Sequence, residues 1–230
     1  MAPAWPTSAV GCCSSTPTPR GHLARACALP LGSIQRVLSS VLDDRADLAD
    51  VVVPLRERLD LAPSTIRLAT VEAHLWARLR REDRLRAAID GVRGRYDLVV
   101  VDCPPSLGLL TLNALAAADQ LLIPMSCDPF ALLGVTLLLQ TVQELRRALR
   151  QEIPVFGLLP TRYARTTNAR RVLEQARTEL GSQLRVLDPI PETVRFREAS
   201  GLGKTIFEHS PESPGALAYR RLAEEVDAIL

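Results

Sequence analysis

Hydrophobic positions change their period several times along the chain. Ile34, Val37, Leu38, Val41 and Leu42 fall at helical spacing behind Ser33, a candidate N-cap, and predict a helix from Ile34 to Leu42. "LADVVVPL" follows as a short apolar segment ending at Pro54, and "RLDLAPST" predicts a strand and a turn. Between Val71 and Ile89, Leu75, Leu79 and Leu85 stand among many charges, as in an amphipathic surface helix whose solvated face is "RLRREDRLR". The run Leu98 to Val101 in "YDLVVVDCPPSLG" is short, β-branched and free of polar alternation, which predicts a strand covered on both faces of a parallel sheet. Asp102 closes it.

Beyond Asp102 the two periods alternate regularly. A helix is predicted near Leu109 to Ala118, a strand at "QLLIP", a helix over Ala131 to Leu149 and a strand at "VFGLL". Then come a helix near Asn168 to Leu180, a short strand in "LRVLDPI", and a last helix from Ala216 to Leu230. Strand, helix, strand, helix predicts an α/β domain with a doubly wound, mostly parallel sheet flanked by helices. That domain is expected over residues 33–230, behind an irregular segment, 1–32, rich in Pro, Ser, Thr, Cys and Gly.

Composition narrows the setting more than the function. The chain of 230 residues is 47% hydrophobic and 23% charged, and no apolar run approaches the roughly 20 residues of a membrane-spanning helix, so no membrane partner is expected. A net charge of +2 gives little support for a polyanionic partner, so local arginine clusters must carry that case. Cysteines at 12, 13, 27, 103 and 127 form no C-x-x-C pair, so neither a zinc site nor a disulfide framework is indicated and a cytoplasmic setting is expected. The first residues lack a positive n-region, and Pro3 and Pro6 interrupt any signal-like apolar stretch.

Ligands of open parallel sheets bind beyond the carboxyl ends of the strands, which is where Asp102 is expected. A carboxylate there commonly orders Mg²⁺ or its water shell beside nucleotide phosphates; the plainer reading is an aspartate capping the next turn. Pro104 and Pro105 stiffen the following segment and Gly108 leaves room for close backbone approach, a combination suited to a switch loop.

"YDLVVVDCPPSLGLLTLNALAAADQLLIPM" strongly resembles the segment around the Walker B motif of the ParA/Soj family of chromosome and plasmid partition ATPases, relatives of MinD. The resemblance continues through "ALLGVTLLLQTV", "GLLPTRYARTTN" and "PIPETVRFREASGLGKTIFEHSPESPGALAYRRLAEEV", covering roughly residues 34–230. It implies a deviant P-loop fold, ATP and Mg²⁺ as cofactors, an ATP-dependent homodimer, and non-specific DNA binding by a cytoplasmic, nucleoid-associated protein. It also implies ATP hydrolysis stimulated by a ParB-type centromere-binding protein. By resemblance Asp102 is the Walker B carboxylate, holding Mg²⁺ through water, with Pro104, Pro105 and Gly108 in the adjoining switch. Thr161 and Pro191 resemble positions lining the base, and Arg165 and Arg195 resemble arginines that contact the DNA backbone. Guanidinium suits phosphate in charge and shape, although 27 of the 28 basic residues are arginine and ordinary surface arginines are the plainer reading.

One stretch imitates the catalytic loop. "SGLGKT" at 200–205 ends like a P-loop, G-x-x-x-x-G-K-[ST], but the first glycine would stand at position 198, which is Glu, and "VRFRE" before it is no buried strand. It is expected to be a structural loop. The family's lysine-bearing phosphate loop and its D-x-D-P-Q-G strand end are absent from the sequence, and Lys204 is the sole lysine. At "TPTPRG", Pro19 and Gly21 keep the family's Pro-x-Gly while Thr16 and Thr18 stand where it has two aspartates. Written in GC-rich codons, Gly11 to Thr18 reads Leu-Leu-Leu-Val-Asp-Ala-Asp from the third base, which points to a frameshift.

Three expectations follow. Without the loop's N–H groups and lysine, the chain as written binds ATP poorly and does not hydrolyse it. Strands flanking the lost one have unpaired edges. The alternative function is that of a nucleotide-independent remnant acting as a DNA- or ParA-binding regulator, whereas a MinD-like membrane role is disfavoured by Glu224, Glu225 and Asp227 in the last helix.

Overall fold

The computed structural model describes residues 11–12, 36–65, 67–104 and 106–230. The predicted N-cap Ser33, the switch residue Pro105 and the Thr16 to Gly21 motif lie outside the described residues. The chain divides into two compact units, the first ending at Ala117 and the second covering Ala118–Ile229.

In the first unit β1 (Gly11–Cys12) pairs in parallel with β3 (Leu59–Ala62), and β2 (Val53–Arg56) pairs antiparallel with β3. Five α-helices accompany this ladder among the described residues: α1 (Leu38–Leu42), α2 (Leu48–Val51), α3 (Arg67–Leu75), α4 (Arg84–Asp90) and α5 (Leu109–Ala117). Their apolar faces meet in a core built on Leu38, Leu42, Leu68, Leu75, Leu85 and Leu109, each at most 4% exposed.

The helix predicted over 71–89 is two helices, α3 and α4, separated by Trp76–Asp83. Leu79, its one large aliphatic residue, is 89% exposed, so no buried anchor holds this stretch helical, and Arg80 sits at φ 52° in the left-handed region. Ion pairs hold the connection instead: Arg78 reaches Asp43 at 3.1 Å and Asp44 at 2.7 Å, and Arg84 also pairs with Asp44. Asn113 completes the attachment, accepting from Leu85 N–H at 3.1 Å and donating to the Arg81 carbonyl at 2.8 Å.

Leu98 to Val101 does not form the predicted strand either. Only Val101 of that run enters a β-bridge, and Val100 is 48% exposed. An apolar run becomes a central strand only when ladders form on both its edges, and none runs beside residues 98–100 among the described residues. The described strands form two ladders, β1-β3-β2 and β4-β5.

The second unit follows the predicted alternation closely. β4 (Leu121–Ser126) and β5 (Val155–Thr161) pair in parallel, and α6 (Ala131–Leu149) and α7 (Thr167–Leu180) pack against them through Val135, Val172 and Ala176. Thr166 caps α7 by accepting from Ala169 N–H at 3.2 Å. The predicted strand in "LRVLDPI" runs parallel to β5 as an extended segment, with bridges Leu158–Val186 and Tyr163–Pro191. The helices α8 (Val194–Gly201), α9 (Ile206–His209) and α10 (Pro214–Asp227) close the chain, α10 starting with Ser213 as N-cap and Pro214 in its first turn. No helix among the described residues is long and apolar enough to cross a membrane.

Gly157 makes the close approach to that segment possible. A Cβ there would lie 2.9 Å from Leu187 Cγ and 3.0 Å from the Arg185 carbonyl, so Gly157→Ala is expected to destabilise the fold by about 1–3 kcal/mol. Urea unfolding followed by circular dichroism checks this; an unchanged midpoint would show that the segment yields freely.

Candidate functional site

Asp102 lies in the first unit, exposed, immediately after Val101. Cys103 follows, its thiol pushed up to about 11 by the atoms crowding its sulfur and then by the Asp102 carboxylate. Pro104 is buried, and the loop ends at Ser106–Gly108 against the first turn of α5, where Thr111 Oγ1 donates to the Ser106 carbonyl at 2.6 Å. Beneath Val101–Pro104 is a cavity of about 20 Å³, lined by Leu38, Leu68, Leu85 and Asn113 among others. It holds a water molecule at most. That cavity has no room for a nucleotide.

Thr161 and Pro191 lie in the second unit, and its topology brings them to one end of the parallel ladder. Thr161 is the last residue of β5, with Oγ1 donating to the Met125 carbonyl at 3.3 Å, and Pro191 ends the neighbouring extended segment. Tyr163 N–H donates to the Ile190 carbonyl and Glu192 N–H to the Tyr163 carbonyl, both at 3.0 Å. Those two bonds hold the segment carrying Arg165 alongside the one entering α8, which carries Arg195. Both arginines are exposed.

Arg195 is already engaged: its Nη1 donates to Glu198 Oε2 at 2.8 Å, and His209 Nε2 lies 3.2 Å from the same oxygen. The bond from Arg195, then that from His209, holds the Glu198 carboxyl below its ordinary 4.5. A carboxylate lowered on folding adds stability above its unfolded value and loses it as pH falls through the lower folded one. Acid unfolding of Glu198→Gln is thus expected to lose part of the pH dependence that the wild type shows below 4.5, read by circular dichroism.

The "SGLGKT" stretch is a turn between two helices. It ends α8, places Gly203 at φ 65°, and uses Thr205 as the N-cap of α9 in a capping box with Glu208. Lys204 N–H bonds to the Ala199 carbonyl, closing the end of α8. This is strand-free, and its threonine hydroxyl is already used.

The fit to a magnesium nucleotide is consequently divided. Asp102 suits a hydrated Mg²⁺, since hard cations take carboxylate oxygens. The β- and γ-phosphates find no glycine-rich cradle in the sequence, and the sole lysine, Lys204, lies in the turn between α8 and α9. Those donors do not fit a triphosphate.

Comparison with known proteins gives the lineage. The AAA domain family matches residues 19–155. The sporulation initiation inhibitor protein Soj of Bacillus subtilis is 37% identical over 212 residues, spanning 91% of this chain and 83% of that protein. The chain belongs to the Soj/ParA family. A second Soj/ParA relative, the chromosome-partitioning ATPase Soj of Thermus thermophilus, is 44% identical over 74% of this chain and 63% of its own length. Among solved structures, cobyrinic acid a,c-diamide synthase of Mycobacterium smegmatis, crystallised with an ATP analogue and magnesium, superposes with a TM-score of 0.80 at 31% identity, covering 95% of this chain and 81% of that one. This Soj/ParA chain accordingly has the α/β fold of the P-loop NTPases.

Two side chains at the loop were missed by sequence reasoning, Glu72 on α3 and Thr111 on α5. Both flank buried positions, Val71 and Leu110, on otherwise apolar helix faces. A polar residue beside a core position was the available signal, and it does not name its partner.

Proposed function

We propose that this Soj/ParA chain derives from a chromosome- or plasmid-partition ATPase that dimerises with ATP, binds DNA without sequence preference and is stimulated by a ParB-type partner. As written it is catalytically silent. The observation that carries the reading is a partition-ATPase sequence retained from Asp102 to the last helix beside a sole lysine, Lys204, that sits in a helical turn. The parallel pairing of Gly11–Cys12 with Leu61–Ala62 supports a frameshift, because residues that would spell a strand if read one frame over in GC-rich codons occupy a strand position. The roles of Thr161 and Pro191 at the base, of Pro104, Pro105 and Gly108 in a switch, and a domain over 33–230 belong to the same proposal.

The test is steady-state phosphate release by the chain as written and by a frame-restored version. Activity that appears only on restoration supports the reading. Turnover by the chain as written, or by neither protein, overturns it, the second outcome favouring a nucleotide-independent regulator.

A further inference from the structure

We propose that the first turns of α7 and the loop before them form a phosphate-binding surface for duplex DNA, in which Arg170 and Arg171 are contacts additional to Arg165 and Arg195. Duplex DNA as the polyanion rests on the preceding reading; the basic surface does not. No Asp or Glu stands between Glu152 and Glu174, whereas Arg162, Arg165, Arg170 and Arg171 do. Strand β5 occupies the first half of that acid-free stretch, so the arginines all fall beyond its carboxyl end, and all four are exposed.

Helix α7 fixes how they are presented. Its buried residues are Ala169, Val172, Leu173, Ala176 and Leu180, and at about 100° per residue they leave Arg170 and Arg171 on the two flanks of the opposite, solvent-facing side. The helix begins between Arg165 and that pair in the chain, so its positive end adds to the same field.

Partners separate these residues from other surface arginines. Arg80, Arg93, Arg177 and Arg195 each have a carboxylate three residues away, at 3.3, 3.4, 3.0 and 2.8 Å. Arg171 Nη2 donates instead to the neutral Asn168 Oδ1 at 3.3 Å, and among the described residues the Arg165 and Arg170 side chains make no hydrogen bond or ion pair. Arg162 lies 3.8 Å from Glu192, beyond hydrogen-bond distance. A polyanion arriving at Arg165, Arg170 and Arg171 therefore displaces counterions without breaking an internal ion pair, and each guanidinium can take a phosphate with two donors.

The experiment is fluorescence anisotropy of unrelated duplexes over a range of salt with the chain as written, beside a urea midpoint for each variant. Arg170→Ala/Arg171→Ala is expected to weaken binding about 10-fold or more at low salt and to lower the salt slope by about two counterions, with the midpoint nearly unchanged because both side chains are exposed. Arg170→Lys/Arg171→Lys keeps the charges and should stay within about threefold of wild type. Arg147→Ala/Arg150→Ala removes the same net charge from the region before β5 and should stay within about twofold.

Equal losses in the two alanine pairs would make the effect one of net charge and overturn the proposal, as would an unmoved affinity in Arg170→Ala/Arg171→Ala. Binding to phosphatidylserine vesicles that is lost in that variant while duplex affinity stays would also overturn it. A loss confined to Arg165→Ala/Arg195→Ala removes the α7 surface and keeps DNA binding, a loss confined to Arg170→Ala/Arg171→Ala does the reverse for Arg165 and Arg195, and a wild type that binds no duplex at low salt sinks both readings.

Discussion

Asp102→Asn in a frame-restored, active chain is expected to lower magnesium-dependent ATP turnover by about 100-fold or more, the scale for removing one preorganised electrostatic partner of a transition state. The substitution keeps size and one acceptor oxygen while deleting the charge that a hydrated Mg²⁺ requires. Because Asp102 is exposed, the loss should appear in turnover and in the magnesium concentration needed for half activity, with the unfolding midpoint nearly unchanged. Phosphate release across a magnesium titration measures it. If Asp102→Asn keeps more than half of wild-type turnover, the plainer reading prevails and the residue caps its turn.

The second large effect concerns DNA. Replacing Arg165 and Arg195 together with alanine is expected to weaken binding to unrelated duplexes by about 10- to 100-fold at low salt and to reduce the salt slope by about two counterions. The loss should be uniform across sequences, as phosphate contacts carry no base information. The Glu198 contact gives this an internal control. Since Glu198 Oε2 lies 2.8 Å from the Arg195 guanidinium, Glu198→Gln should strengthen binding by about twofold through a freer arginine, opposite in sign to Arg195→Ala. Fluorescence anisotropy of several duplexes over a range of salt separates these outcomes. An affinity and slope unmoved by the double substitution would return both residues to the ordinary surface arginines of an arginine-rich chain.

Legibility in the sequence followed the range of the interactions involved. Helix α6 came out at its predicted bounds because nineteen residues with apolar positions on one side encode a helix locally. Strands β4 and β5 were visible for a similar reason, each a short apolar run bounded by turns and helices. The stretch Trp76–Asp83 was misread because its charges looked like a solvated helical face, whereas one of them, Arg78, reaches back to Asp43 and Asp44, 35 and 34 residues earlier. Leu98 to Val101 has the composition of a central strand, but composition carries no neighbours.

Around the candidate site the same division holds. Asp102, Gly108, Arg165 and Arg195 could be named from residue type and order, and "SGLGKT" could be rejected because Glu198 stands where a phosphate cradle needs glycine. What lies against Gly108 was invisible, since it is the end of the Glu72 side chain, 36 positions away on α3. By itself the sequence determined the α/β class, the Soj/ParA lineage and the want of a lysine-bearing phosphate loop, all properties of local pattern and covalent order. Tertiary structure alone decided which runs find partners in a ladder, that the apparent catalytic loop is a helical turn, and that Glu72 meets α5. Each of those depends on a hydrogen bond or close contact between segments that the chain keeps far apart.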